Sequence, residues 1–179
     1  LCRDMQQWLR DRAAAAGYRH YELSNYALPG RESRHNNAYW DGTPYVGLGT
    51  GAHSFDGTAR SYHTPDIDAY LRDIAVGRTG LVVETLTMAE RFDEAVMLGL
   101  RTDRGIDLVS LARRFGPEAV HRLLQRAEPH LNRELLVLTH DSTRLTLAWS
   151  GPHATQSLMT SNDLIADLMA EPDDTFTGE

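Results

Sequence analysis

The chain contains no lysine, so all 18 of its Lys-or-Arg positions are arginine. That excludes a lysine Schiff base and a lysine-dependent phosphate loop. Cysteine is nearly absent too: Cys2 is alone, which rules out an intrachain disulfide and leaves too few thiolates to hold an iron–sulfur cluster. No apolar run approaches the roughly 20 residues that cross a bilayer. The start lacks the basic-then-apolar order of a signal peptide. A net charge of −7 disfavours non-specific binding to nucleic acid or anionic membrane. With 41% hydrophobic and 24% charged residues, the 179-residue chain is not mostly disordered, and it is long enough for one good core or for a small domain plus part of another.

What is present begins with a helix already under way. Leu1 is not an initiator methionine, and Asp4 to Arg12 followed by Ala13 to Ala16 reads as an amphipathic helix without a capped beginning, so an N-terminal part is expected upstream. The helix stops at Gly17, and Tyr18 to Leu23 alternates like a strand, one α-to-β step of a repeating α/β layer. From Ser24 to Pro44 no helical or strand period is visible, and a loop of that length with so many aromatics points to function rather than disorder. Tyr45 to Gly49 reads as a short buried strand or edge, Thr50 to Ser54 as a turn, Arg60 to His63 as another strand and Pro65 to Val76 as a helix.

Beyond Gly80 the texture becomes helical. Thr87 with Glu90 has capping-box spacing and opens a helix through Leu100. Helices follow over Leu108 to Phe115 and Pro117 to Arg126, then a hairpin of Leu135 to Leu138 and Arg144 to Leu147 around His140-Asp141-Ser142, then a helix over Asn162 to Ala170. This order is winged-helix-like, and the acidic segment from Glu171 to Glu179 is expected to fray.

The densest chemistry lies in Ser33-Arg34-His35-Asn36-Asn37-Ala38-Tyr39-Trp40. Imidazole is a common donor to iron, Tyr39 and Trp40 offer flat apolar faces, Arg34 pairs with a carboxylate bidentately and Asn36 orients the loop. Together they suit a planar, metal-centred, carboxylate-bearing ligand such as haem, with His35 as the axial ligand; the alternative is a loop anchored by its aromatics. Gly47-Leu48-Gly49-Thr50-Gly51-Ala52 satisfies the G-x-G-x-x-A dinucleotide pattern, but that fingerprint needs a helix directly after the glycines, and His53 to Thr58 reads as turn. The glycines serve better to let the backbone approach another strand or a ligand closely. His35, His53 and His63 are a conceivable metal cluster that their spacing does not require. Glu22, Ser24 and Asn25 sit at a strand end, where either ligand contact or turn chemistry would use them. Arg113, Arg114, His121, Arg122 and Arg126 form a candidate basic face for nucleic acid, with a solvated or interdomain face as the competing account.

The ordered set Tyr21-Glu22-Leu23-Ser24-Asn25-Tyr26-Ala27-Leu28-Pro29-Gly30, Ser33-Arg34-His35-Asn36, Tyr39-Trp40, Tyr45 to Gly49, Gly51 to Ser54 and Glu94 to Arg101 with Gly105-Ile106 resembles the HemW family. These are radical S-adenosylmethionine (SAM) haem chaperones, often labelled oxygen-independent coproporphyrinogen III oxidase-like. The resemblance implies an α/β fold: the C-terminal part of a partial TIM-type radical SAM barrel with a haem-binding loop over residues 1–83. A mostly helical, winged-helix-like domain with a hairpin follows over residues 84–170, and a disordered acidic tail over 171–179. It implies haem held by His35, Asn36, Tyr39 and Trp40 with Arg34 on a propionate, and Ala27 with its backbone near SAM. It further implies haem-accepting partner proteins and a cytoplasmic location, with no nucleic acid among the partners. The family's three-cysteine motif and glycine-rich SAM motif are not in this sequence, so the chain is expected neither to assemble the [4Fe–4S] cluster nor to cleave SAM, and no catalytic residue is assigned. The alternatives are part of an oxygen-independent coproporphyrinogen III oxidase of porphyrin biosynthesis and a winged-helix nucleic-acid module.

Overall fold

The computed structural model describes residues 1–139, 141–172 and 174–178; His140, in the anticipated hairpin turn, lies outside the described residues. The first half of the chain runs α1 (Cys2–Ala15), β1 (Arg19–Glu22), β2 (Asn25–Ala27), α2 (Arg34–Trp40), β3 (His53–Phe55), β4 (Arg60–His63), α3 (Ile67–Ala75) and β5 (Leu81–Glu84). Then follow α4 (Met88–Leu100), β6 (Ile106–Asp107), α5 (Leu108–Phe115), α6 (Pro117–Asn132), β7 (Leu136–Thr139), β8 (Arg144–Leu147), α7 (Ala154–Met159) and α8 (Ser161–Ala166). These elements form two compact units, one of residues 1–34 with 88–179, the other of 35–87.

The larger unit is built on helical stripes. Phe92, Val96 and Leu100 recur every four residues on α4, Leu108, Leu111 and Phe115 line α5, and Ala119, Leu123 and Ala127 line α6, all buried. Leu136, Leu145 and Leu147 from the sheet close this core. The sheet has the order β6-β8-β7, antiparallel throughout, with β8 buried at Leu145, Thr146 and Leu147. The two-residue β6 was not foreseen, since so short a run carries no period. Asp107 caps α5, its Oδ1 accepting from the Ser110 N–H at 2.9 Å, and its other oxygen lies 3.2 Å from Arg144.

The first 34 residues pack onto this same unit, where the sequence placed the cut at 83/84. Polar bonds and side-chain packing both attach them: the Leu23 N–H donates to Arg101 O at 3.0 Å, the Asp103 N–H to Tyr21 O at 3.1 Å and Arg10 Nη2 to Trp149 O at 2.6 Å, while Leu23 packs against the core. α1 is the amphipathic helix expected there, but none of its residues is buried. The expected α-to-β step is present, but β1 pairs antiparallel with β2 rather than entering a parallel layer. Among the described residues no strand pairing is parallel and no barrel closes.

The acidic C-terminal segment also differs from the frayed tail anticipated. Asp174 Oδ2 lies 3.0 Å from Arg126 Nη2, its Oδ1 lies 2.7 Å from Arg122 Nε, and Phe176 packs against the core with its ring 5.3 Å from that of Phe92. Composition alone suggested solvation; one carboxylate with two arginine partners and one aromatic anchor decide otherwise.

In the smaller unit β3, β4 and β5 form an antiparallel sheet and α3 starts at Asp66, whose Oδ1 accepts from the Asp68 and Ala69 N–H groups at 2.9 and 3.0 Å. Tyr45 to Gly49, read as a short buried strand or edge, makes the isolated Tyr45–Phe55 bridge, and Val46 and Leu48 are 80% and 88% exposed. The apolar letters there misled, because apolarity without a partner sheet does not bury a segment.

Candidate functional site

Residues 24–44 are structured. Glu22 is 1% exposed, and its Oε1 accepts from the Ser24 N–H at 3.1 Å and from Asn25 Nδ2, closing the β1–β2 turn. Glu22, Ser24 and Asn25 are therefore occupied with turn chemistry. Ala27 is buried in β2 and pairs with Arg19 across the ladder. The approach to α2 is pinned, the Ser33 N–H donating to the Tyr21 hydroxyl at 3.4 Å and Glu32 lying 3.7 Å from Arg19.

The helix α2 then holds Arg34, His35, Asn36, Tyr39 and Trp40 within its seven residues. It ends where the chain reaches Gly42 in the left-handed region (φ 71°), with the Thr43 N–H donating back to Ala38 O at 3.0 Å. That closure is the glycine-terminated cap. In a helix, residues four apart share a face, so His35 stands beside Tyr39 and Asn36 beside Trp40. His35 Nε2 and the Tyr39 hydroxyl are 3.2 Å apart, and the two rings meet edge to face at 5.0 Å. His35, Arg34 and Tyr39 are exposed; Asn36 and Trp40 are half-buried.

The ring contacts continue beyond the residues singled out from sequence. Tyr39 meets Tyr45 at 4.6 Å and Tyr45 meets Phe55 at 6.3 Å, the last pair locked by reciprocal backbone bonds of 2.8 and 2.9 Å. A groove of about 490 Å³ lies at the far end, bounded by Pro44, Tyr45, Phe55, Arg60 and Val83. Its size falls within the ~300–1,000 Å³ usual for small-molecule sites. Tyr45 and Phe55 were missed because their association is made by the sheet, not by spacing.

The glycine segment behaves as a close-approach device. A Cβ on Gly47 would strike the His53 carbonyl oxygen, and no helix follows Gly51 until α3, so the dinucleotide fingerprint has no phosphate-facing helix. His53 stacks on Tyr62 at 5.2 Å and His63 meets Tyr70 edge-on at 5.0 Å. Among the described residues no three His, Cys, Asp or Glu side chains converge on a metal position, which removes the three-histidine cluster. Two of the five residues of the candidate basic face, Arg122 and Arg126, are engaged by Asp174.

Residues 86–148 match the family described as the HemN C-terminal domain, from just before α4 to just past β8. The haem chaperone HemW of Lactococcus lactis is 35% identical over 112 residues, 63% of this chain and 29% of that protein. HemW of Mycobacterium tuberculosis is 39% identical over 113 residues, 61% of this chain and 29% of that one. The mitochondrial radical S-adenosyl methionine domain-containing protein 1 of Bos taurus is 29% identical over 186 aligned residues, covering 90% of this chain and 39% of its own. Among solved structures, the radical SAM enzyme coproporphyrinogen III oxidase (HemN) of Escherichia coli aligns with a TM-score of 0.66 over 93% of this chain and 40% of that one. At 13% identity that likeness speaks to fold alone.

The chain is thus a mixed α/β protein carrying a HemN C-terminal domain. It is homologous to the HemW haem chaperones over their C-terminal portion, and it spans well under half the length of the relatives it matches, 22% to 40%.

Proposed function

We propose that this chain is the ligand-holding portion of a HemW-like haem-delivery protein, and that haem or porphyrin is held at α2. The observation that carries the reading is the placement of an exposed His35 and Tyr39 on one turn, 3.2 Å apart, at the head of a run of aromatic rings, in a chain homologous to HemW. The donor set suits the group: an accessible imidazole, two flat rings on neighbouring helix faces, and an exposed guanidinium. Bound haem supplies an iron that takes a nitrogen donor and propionates that take cations. His35 would supply the nitrogen donor to the iron, Tyr39 and Trp40 would pack on the macrocycle, Arg34 would meet a propionate and Asn36 would steady the helix. The recipient is a haem-accepting protein, and a cytoplasmic location belongs to the same reading. No helix among the described residues is long and apolar enough to cross a membrane.

In this reading the segment up to residue 83 corresponds to the end of a partial radical SAM barrel, with Ala27 near SAM, and the rest to a winged-helix-like domain. The order α4, β6, α5, α6, β7, β8 with sheet order β6-β8-β7 supports the second assignment. SAM cleavage and the [4Fe–4S] cluster need cysteines this sequence does not hold.

Titration with haem tests the site. His35→Ala, checked for intact folding by circular dichroism, is expected to lose the Soret shift of an imidazole-ligated iron; an unchanged spectrum and affinity removes His35. Tighter binding of coproporphyrinogen III than of haem would turn the reading to the oxidase branch.

A further inference from the structure

The HemN C-terminal domain presents a groove that the end of the chain fills. Asp174, its side chain 4% exposed, is clasped by Arg122 and Arg126. Its carboxylate also accepts from the Glu171 N–H at 3.1 Å. Two residues on, Phe176 lies over Phe92 and Phe115 at 5.3 and 6.1 Å, and those two rings meet edge to face at 5.5 Å. The Thr177 N–H donates to Phe115 O at 3.2 Å. Gly178 then presses on the Arg114 carbonyl so closely that no Cβ fits there. The receptor residues lie inside the matched domain, whereas the segment lies outside it.

This is how a protein reads a short peptide. Two guanidiniums take one carboxylate, an aromatic pocket takes one ring, a backbone bond sets register, and a steric stop demands glycine. We propose that the groove lined by Arg122, Arg126, Phe92 and Phe115 is a docking site for a peptide of the pattern Asp-x-Phe-x-Gly. Residues 174–178 fill it in cis, and a partner protein's segment of the same pattern fills it in trans by displacing them. Charge complementarity selects the partner: the groove offers cations, so an acidic, aromatic-bearing segment fits and a basic one does not. Tethering gives the resident segment an effective concentration on the order of millimolar, so a partner competes well only when the resident contact is weakened.

The test uses the full chain. A fluorescent peptide with the sequence of residues 171–178 is titrated by anisotropy into the unaltered protein and into Asp174→Asn/Phe176→Ala. The double variant is expected to bind about tenfold more tightly, tenfold being the ratio that 1.4 kcal/mol produces. Peptides carrying Asn for the aspartate, Ala for the phenylalanine or Ala for the glycine are each expected to bind at least about tenfold more weakly to it. Adding Arg126→Gln is expected to abolish binding. Should the double variant fail to fold by circular dichroism, Asp174→Asn alone, which keeps the Phe176 anchor, serves in its place. A folded variant that shows no binding at millimolar peptide, or binds all the peptides alike, overturns the proposal.

Discussion

His35 Nε2 and the Tyr39 hydroxyl face each other at 3.2 Å across one turn of α2. A phenol hydroxyl on an imidazole nitrogen orients the ring but occupies the lone pair or proton that a metal would have to replace. Ligation through Nε2 therefore exchanges a hydrogen bond for an iron bond. Tyr39→Phe keeps the ring and removes the competitor, so haem affinity is expected to rise, by at most the ~0.5–1.5 kcal/mol that one such bond contributes. His35→Ala/Tyr39→Phe should then bind no better than His35→Ala. A haem titration in which Tyr39→Phe weakens binding would instead make the hydroxyl a partner of the ligand.

How far the sequence carried depended on what each element rests on. The stripes of α4, α5 and α6 were legible because a burial period repeats along one segment, and Leu136 to Leu147 because two short apolar-rich runs flank a turn. Helix α2 was not legible, since its Asn-rich run has weak propensity. Its one clear signal, Gly42 after Trp40-Asp41, is a stop without a start. The candidate ligand residues are neighbours in sequence, and the i, i+4 pairing of His35 with Tyr39 becomes visible only once that run is known to be helical. Tyr45, Phe55 and the anchoring of Asp174 depend on partners far along the chain, which local pattern does not reveal.

Gly99 tests the packing of α4 on β6. Alanine there would gain ~1 kcal/mol of helix propensity, yet its Cβ would stand 2.7 Å from Ile106 Cγ1 and 3.2 Å from Ile106 Cα. Ile106 is buried and its backbone pairs with Leu145, so it has nowhere to yield. Overpacking of ~1–3 kcal/mol should win. Urea unfolding of Gly99→Ala is expected to show a lowered midpoint, and a raised one would mean that the strand gives way.

Asp174 links the C-terminal segment to pH. Burial works to raise its pKa, but the Arg126 hydrogen bond, the Glu171 N–H and the charges of Arg126 and Arg122 outweigh that and hold it below the ordinary carboxylate value. A depressed folded-state pKa gives stability that is present above the unfolded pKa, near 3.8, and is lost as pH falls through the folded one. Asp174→Asn should cost on the order of 1–3 kcal/mol at neutral pH, and the gap from the unaltered chain should close in acid. Urea midpoints measured at stepped pH check this; a gap independent of pH would place the effect in packing.

His20 predicts a second acid response in a different range. Its Nε2 lies 3.2 Å from Leu23 O, so Nε2 carries the proton, and Nδ1 is left buried without a partner. The ring stacks on Tyr26 at 4.1 Å and meets Trp149 edge-on at 5.0 Å. Burial lowers its pKa from 6.5; the Leu23 carbonyl and the charges of Glu22 and Asp103 oppose that, and Arg10 adds to it. A histidine depressed in the folded state costs nothing above 6.5, where both states are neutral; below it the unfolded chain takes up the proton first and stability falls. The unaltered protein should thus lose stability as pH drops from ~7 toward ~5, the span in which histidine titrates. His20→Phe, which preserves the stack and discards the proton, should flatten that slope. Because β1 is joined to residues 101–103 of the same unit by backbone bonds near this ring, hydrogen exchange at the Leu23 and Asp103 amides, corrected for intrinsic rate, should accelerate in the same range in the unaltered chain and not in the variant. Equal slopes in both proteins would show that His20 takes no part.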